Sequence, residues 1–313
     1  MNTQEVLNTQ ITKTAKIRLL TQLGHSIKDI AQMIGSNTGF VYGVLHYRQA
    51  PETLSAATAQ MPLVFNRKFG IEIEAFNVER NALVEKLRMN GIEVENEGYN
   101  HSTRPHWKVI GDSSIRGEKA FELVSPPLVG EEGLREVEIV CRVLKQMNAK
   151  INKTCGLHVH IEAKDFKIGQ WRNIFKNYVL FEDAIDAFMP MSRRSGQNKY
   201  CQSIKGRRAI SSIFSDIDSC KTVKQIEKKV TNKSRYYKIN AQAFARHGTI
   251  EFRQHSGTVE FLKINNWVRF LHNLICYSQS NVAADGNFER LADFNQPELM
   301  AYFNERKEEL NQN

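Results

Sequence analysis

The sequence predicts an α+β catalytic domain, a sheet with one apolar and one polar face backed by helices, preceded by a small all-α domain. Three observations carry this expectation. Four short stretches alternate apolar and polar residues with the period of two of a half-buried strand. Three longer stretches repeat apolar residues at helical spacing. Residues 14–48 read as two short helices around a turn.

In that N-terminal stretch Ile17, Leu19, Leu20 and Leu23 form an apolar run ending at Gly24. Ser26 can cap a helix from Ile27 to Ile34, Gly35-Ser36-Asn37 supplies a turn, and Thr38 to Tyr47 forms the next helix with Val41, Val44 and Leu45 inward. The pattern resembles the helix-turn-helix of bacterial and phage DNA-binding proteins, whose second helix enters the major groove. The resemblance makes Asn37, Thr38, Tyr42 and Arg48 candidate DNA contacts. A helical protein-docking module is the alternative, because one copy binds DNA weakly. Gln49 to Met61 is poor in large apolar residues, with Pro51 and Pro62 near its ends, and reads as a linker. The expected division is a helical domain at 1–48, a linker at 49–62 and a catalytic domain at 63–313.

The first strand is Phe69-Gly70-Ile71-Glu72-Ile73-Glu74, which sends Phe69, Ile71 and Ile73 one way and Glu72 and Glu74 the other. Arg80 to Met89 reads as a helix stopped by Gly91, and Ile92-Glu93-Val94 as a short strand. Ala120 to Leu128 gives a second alternating strand with Glu122 opposite in phase to Phe121 and Leu123. Glu131 to Asn148 repeats Leu134, Val137, Val140, Cys141, Leu144 and Met147 at helical spacing, as a helix covering the sheet does. Gly156-Leu157-His158-Val159-His160-Ile161-Glu162 puts both histidines and Glu162 on one face. Gln170 to Met189 is a second covering helix. Thr249 to His255 sends Glu251, Arg253 and His255 away from Ile250 and Phe252. Val259 to Tyr277 is a third helix, and Pro297 to Asn313 a short amphipathic one.

If the four strands share a sheet, its polar face collects Glu72, Glu74, Glu122, Glu251 and two histidines in a chain of net charge +9. Clustered carboxylates raise one another's pKa unless a cation sits among them, so the economical reading is a divalent metal site. Carboxylates with one or two imidazoles favour Mg²⁺ or Mn²⁺ over structural Zn²⁺. A solvated strand face is the plain alternative for any one of these strands taken alone.

Phe-Gly-Ile-Glu-Ile-Glu, Glu-Leu-Val-Ser-Pro-Pro-Leu, Cys-Gly-Leu-His-Val-His and Thr-Ile-Glu-Phe-Arg with a following Ser-Gly-Thr stand here in the order of the amidoligase family signatures. The stretch from about residue 65 to 280 resembles that family, part of the carboxylate-amine ligase superfamily of glutamine synthetase and glutamate-cysteine ligase. The resemblance implies a curved, mainly antiparallel glutamine synthetase-like sheet. It also implies an ADP-producing ligase using ATP and Mg²⁺ or Mn²⁺, which joins a carboxylate to an amine through an acyl phosphate. Carried over residue by residue, Glu72, Glu74, Glu122, His158 and Glu251 become metal ligands, with Glu72, Glu251 and Arg253 catalytic. His160 would face ATP phosphate, and Arg253 the transferring phosphoryl or the acceptor carboxylate. Arg235 and Asn240 would face the nucleotide. Arg193 is a candidate for phosphate or substrate carboxylate, with a solvated basic loop as the alternative. Trp107 to Ser114 resembles the strand and turn before the Ser-Pro-Pro motif, with Asp112 either stabilising the turn or positioning substrate.

Two other classes stay open at this level: a DNA-binding regulator with a ligand-sensing ligase-like domain, and a metal-dependent hydrolase using zinc at the His-x-His pair. No Walker-type phosphate loop is present. The chain's 313 residues, 41% of them hydrophobic, suffice for a sizeable core. No stretch is apolar for a membrane span's length, and the polar N-terminus is no signal peptide. Five cysteines without Cys-x-x-Cys spacing point to reduced thiols and a cytoplasmic location. Cys155, beside the His-x-His motif, carries no mark of a low-pKa nucleophile. The expected partners are carboxylate and amine substrates, with DNA possible through residues 14–48, no membrane, and an oligomer possible.

Overall fold

The computed structural model describes residues 2–8, 13–36, 38, 41, 45, 65–194, 196 and 198–311. The chain forms two compact units, Met1–Met61 and Pro62–Asn313.

In the first unit, α1 (Thr3–Asn8), α2 (Lys13–Gln22) and α3 (Ile27–Met33) enclose a small core of Val6, Ile17, Leu20, Ile30, Ala31 and Val41. Ser26 caps α3 as its sequence position requires, its hydroxyl accepting from the Asp29 amide at 3.2 Å. Thr38, Val41 and Leu45 are helical, and Thr38 is exposed. Asn37, Tyr42, Arg48 and the expected linker lie outside the described residues.

The second unit is built on one eight-stranded sheet. Its strands are β1 (Lys68–Ala75), β2 (Val94–Asn96), β3 (Trp107–Ile110), β4 (Phe121–Val124), β5 (Leu128–Val129), β6 (Gly156–Glu162), β7 (Ile239–Asn240) and β8 (Thr249–Ser256). Across the sheet they run β2-β3-β4-β1-β6-β8-β7, with β5 paired to the start of β1. Among the named strands of the described residues, the β2–β3 pair alone is parallel. This is a mixed α/β architecture around an open, mostly antiparallel sheet. The period-two alternation produces its two faces. Phe69, Ile71, Ile73, Phe121, Leu123, Leu157, Val159, Ile161, Ile250 and Phe252 are buried on one side.

Helices α5 (Gly130–Gln146), α6 (Ile168–Ala187) and α10 (Phe261–Ser278) bury their apolar stripes against that side, while α4 (Arg80–Met89) covers its β2–β3 end. Phe188 and Phe270 join this layer to α11 (Pro297–Asn311) through Phe303, at centroid separations of 4.3 and 5.3 Å. The connection from α6 to β7 carries α7 (Ile210–Ser219) and α8 (Val223–Val230), with α9 (Ala243–His247) leading into β8.

One expectation about phase fails. His255 does not share a face with Glu251 and Arg253. The β6–β8 register shifts between Leu157 and Val159, so that Leu157 pairs with His255 while Val159 pairs with Phe252. The extra residue in β8 is a bulge, and it turns His255 to the helix side, where the alternation already places Gln254. There His255 lies 5.6 Å from the Trp267 ring and Gln254 accepts the Tyr178 hydroxyl at 2.5 Å.

Candidate metal and nucleotide site

The register of β1 assembles the site. Glu74 stands opposite Glu122 of β4, Glu72 opposite His158 of β6, and His160 of β6 opposite Glu251 of β8. Strand-sequence alternation thus places all six on one face, in a diagonal band across the central strands.

Glu72 is the centre. One oxygen accepts from His158 Nδ1 at 2.8 Å, and the other lies 3.3 Å from His160 Nε2. Burial alone would raise its carboxyl, but the two histidines outweigh that and hold it well below the usual carboxylate range. Glu122 has the opposite fate. Burial, then the charges of Glu72 and Glu74, push its carboxyl well above the ordinary value. Glu74 accepts the Gly156 amide at 2.6 Å and lies 3.5 Å from His158 Nε2. Burial would lower the His160 imidazole, yet Glu72 and Glu251 raise it. Its Nε2 is buried without an aligned hydrogen-bond partner.

Glu251 is gripped from two sides, by Asn240 Nδ2 at 2.6 Å and by the Arg253 guanidinium. The Asn240 amide, expected to face a nucleotide, is therefore committed to orienting Glu251, and its oxygen accepts the Gln242 amide. Burial opposes the Arg253 charge, but Glu251 and Glu72 raise its pKa and keep it protonated. The Tyr236 ring lies 5.3 Å from the Arg235 guanidinium and 5.9 Å from that of Arg253.

Two sets of ligand donors meet within 4.8 Å: Glu72, His160 and Glu251, and Glu72, Glu122 and His158. Glu72 belongs to both. A carboxylate shared by two donor sets, a buried imidazole nitrogen without an aligned partner and a carboxyl whose charge is opposed by its acidic neighbours together fit divalent cations. A further set, Glu95, Glu97 and His106, lies beside β2. There Glu97 is saturated by Arg104, Asn100 and His106, and the Arg104 bond chiefly depresses its pKa to about 2.

A cavity of about 330 Å³ opens beside the band. Its floor is Gly70, Glu72, Ser125, His160 and Thr249, and Asn100 to Thr103 line it from the β2–β3 connection. Lys108, buried on β3, holds that loop with all three ammonium protons, on Asn100 O, Asn100 Oδ1 and Ser102 O. At the far end Thr103 Oγ1 meets His247 Nδ1 at 2.8 Å. Lys68, Lys164 and Arg246 add positive charge to the lining. Burial, then Arg235 and Arg246, lower the His101 pKa, and burial, then His160, lower that of His247.

The remaining candidates are dispersed. Arg193 is buried rather than on a solvated loop. It donates to Cys155 O while its Nε has no hydrogen-bond partner among the described residues, and its terminal nitrogens lie 3.4 Å from where a Gly156 Cβ would stand. Arg235 is exposed. Asp112 accepts the Ser114 amide at 2.7 Å, the bond of an Asx turn. Cys155 is buried and its thiol is pushed up by burial.

The sequence reading missed the cavity's Lys68, Lys108, His101, Lys164, Arg246 and His247. Lys108 was within reach, since it alternates with Trp107 and Val109. Lys68 opens β1, Arg246 and His247 end α9, and His101 and Lys164 sit on connections, so their convergence depends on how distant segments meet, which no periodicity reports.

The family model described as "Putative amidoligase enzyme" matches residues 65–275, from the lead into β1 to the last turns of α10. No curated protein matches the chain.

Proposed function

The chain belongs to the amidoligase family, and from that premise we propose that it is an ATP-dependent ligase, activating a carboxylate as an acyl phosphate for attack by an amine. The observation that carries this is Glu72, one carboxylate common to two donor sets beside a cavity with a basic lining. Glu72, Glu74, Glu122, His158 and Glu251 would hold Mg²⁺ or Mn²⁺. Bound there, such ions would neutralise the phosphates of ATP.

The chain's own groups would do the rest. His160 and the cavity's Lys68, Lys164 and Arg246 would receive nucleotide phosphate. Arg253, kept charged by Glu251, would meet the phosphoryl group as it transfers or the acid that accepts it. Asn240 would hold Glu251 in the orientation this requires. Arg193 brings a buried guanidinium with a free Nε, suited to phosphate or to the acceptor carboxylate, and Arg235 a second cation outside Arg253. The one-sided polar face supports reading the sheet as glutamine synthetase-like.

For the N-terminal unit we propose a DNA-binding helix-turn-helix, with Asn37, Thr38, Tyr42 and Arg48 as its contacts, joined to the ligase near residues 49–62. The Ser26-capped helix and the exposure of Thr38 support it. Gel-shift loss in Thr38→Ala and Arg48→Ala would be the expected result, and unaltered binding would remove the proposal.

A thermal-shift titration tests the ligase reading. Mg²⁺-ATP should raise Tm in the wild type by mass action, and EDTA, Glu72→Gln or Glu251→Gln should each abolish the rise. Acid and amine pairs would then be screened for ADP release. No shift at saturating Mg²⁺-ATP would reject the nucleotide site.

A further inference from the structure

Residues 199–238 carry eleven lysines and arginines against three carboxylates, a surplus of eight in a chain whose whole net charge is +9. The excess is not used up internally. Lys205 pairs with Asp183, Arg208 with Asp216, and Lys238 is buried against Glu182 and Asp186. Lys221, Lys224, Lys228 and Lys233 are exposed and make no ion pair among the described residues. Lys224 and Lys228 stand one turn apart on the outer side of α8, whose Ile226 and Val230 are buried. Lys221 precedes the cap and Lys233 follows the last turn, so the cations form a strip along the helix.

The strip continues to the site. Lys233 is followed by Arg235, whose guanidinium lies 5.3 Å from the Tyr236 ring, and that of Arg253 lies 5.9 Å from the same ring. Tyr200 packs edge-on against Tyr236 at 5.3 Å, with the Lys199 ammonium 4.7 Å from its ring, and its carbonyl accepts from Arg253 Nε. A polyanion lying along α8 would therefore be led toward Arg253.

We propose that the outer side of α8 and the Lys233–Arg235 segment form a docking strip for an acidic polypeptide, which brings one of its carboxylates to Arg253. This rests on the ligase reading for the fate of that carboxylate, but the docking itself does not. A nucleic acid would also be attracted, yet it has no carboxylate to present where the strip ends. The strip would raise the encounter rate and local concentration of a substrate with many carboxylates.

The test is fluorescence anisotropy on the full chain with labelled oligoglutamate, labelled oligoglutamine and a labelled DNA duplex. The proposal expects oligoglutamate to bind in a salt-sensitive way and oligoglutamine not to bind. The triple reversal Lys221→Glu, Lys224→Glu, Lys228→Glu, at exposed positions outside the cavity lining, should weaken oligoglutamate roughly tenfold or more while leaving Tm and the Mg²⁺-ATP shift in place. Equal binding of both peptides, an unaffected triple variant, or a duplex held more tightly through the same lysines would overturn it. ADP release is read separately with oligoglutamate and with small acids. Docking without any ADP release counts against the ligase and leaves the strip standing. ADP release from small acids without docking removes the strip and leaves the ligase.

Discussion

Lys238 is fully buried, with Glu182 Oε1 at 3.0 Å and Asp186 Oδ1 at 2.6 Å. The two carboxylates and Tyr178 occupy one stripe of α6, and Gln254 closes the network from the β8 bulge. Lys238→Met would leave two buried carboxylates without their cation, a loss of about 3–5 kcal/mol that a denaturation midpoint would report. Replacing Asp186 as well, as Asn, should recover part of it. Little in the sequence announced this network, because each of its bonds joins α6 to a residue more than fifty positions away and charge alone marks none of the members. Glu72, Glu122 and His158 were legible because each alternates with buried neighbours inside its own strand. His255 carries a second prediction. Burial depresses its imidazole to about 3, so below the ordinary histidine range the unfolded chain binds a proton that the folded one refuses. Stability should fall as pH drops from about 6.5 toward 3, by up to about 1.4 kcal/mol per unit from this group, and His255→Gln should flatten that limb of a Tm-versus-pH curve.

The strands and the three large helices follow from periodicity, and their observed bounds differ from the expected ones by a residue or two at most ends. The bulge was not legible, since an extra residue between Arg253 and His255 leaves the written alternation unbroken while reversing its sense. Only the partner strand reveals it. The loop from Asn100 to Thr103 was equally hidden, since it has no periodic pattern. Its two ends are held unequally, by three hydrogen bonds from buried Lys108 and by one exposed bond between Thr103 and His247. Thr103→Val should therefore loosen the His247 end alone, which hydrogen exchange would register as faster exchange at residues 101–103 with little change at 107–110. Helix α5 meets the sheet just as closely. A Cβ at Gly133 would stand 2.7 Å from Leu128 Cβ and 3.2 Å from the Phe69 ring. Gly133→Val should cost about 1–3 kcal/mol by forcing α5 off β1 and β5, measurable as a fall in Tm.

At the level of the molecule, each of the two units has its own core, and no described helix is long and apolar enough to cross a membrane. Residues 62–313 produced alone should fold and keep the Mg²⁺-dependent Tm rise proposed for the whole chain. Loss of that rise on removing residues 1–61 would tie nucleotide binding to the N-terminal unit. The sequence foresaw one polar face bearing acids and histidines, and it could not foresee the volume beside that face, which depends on how distant connections meet. Gly70 gives that volume a further meaning. A methyl group added there would find Ser125 Oγ at 3.7 Å and His160 Cβ at 3.8 Å, ordinary contacts that the fold accepts. The same methyl would project into the floor of the cavity. Gly70 is thus a place where the occupant can be engineered against without disturbing its host: Gly70→Ala makes a steric gauge, and ligand analogues trimmed to clear it would report which of their atoms rest on the floor.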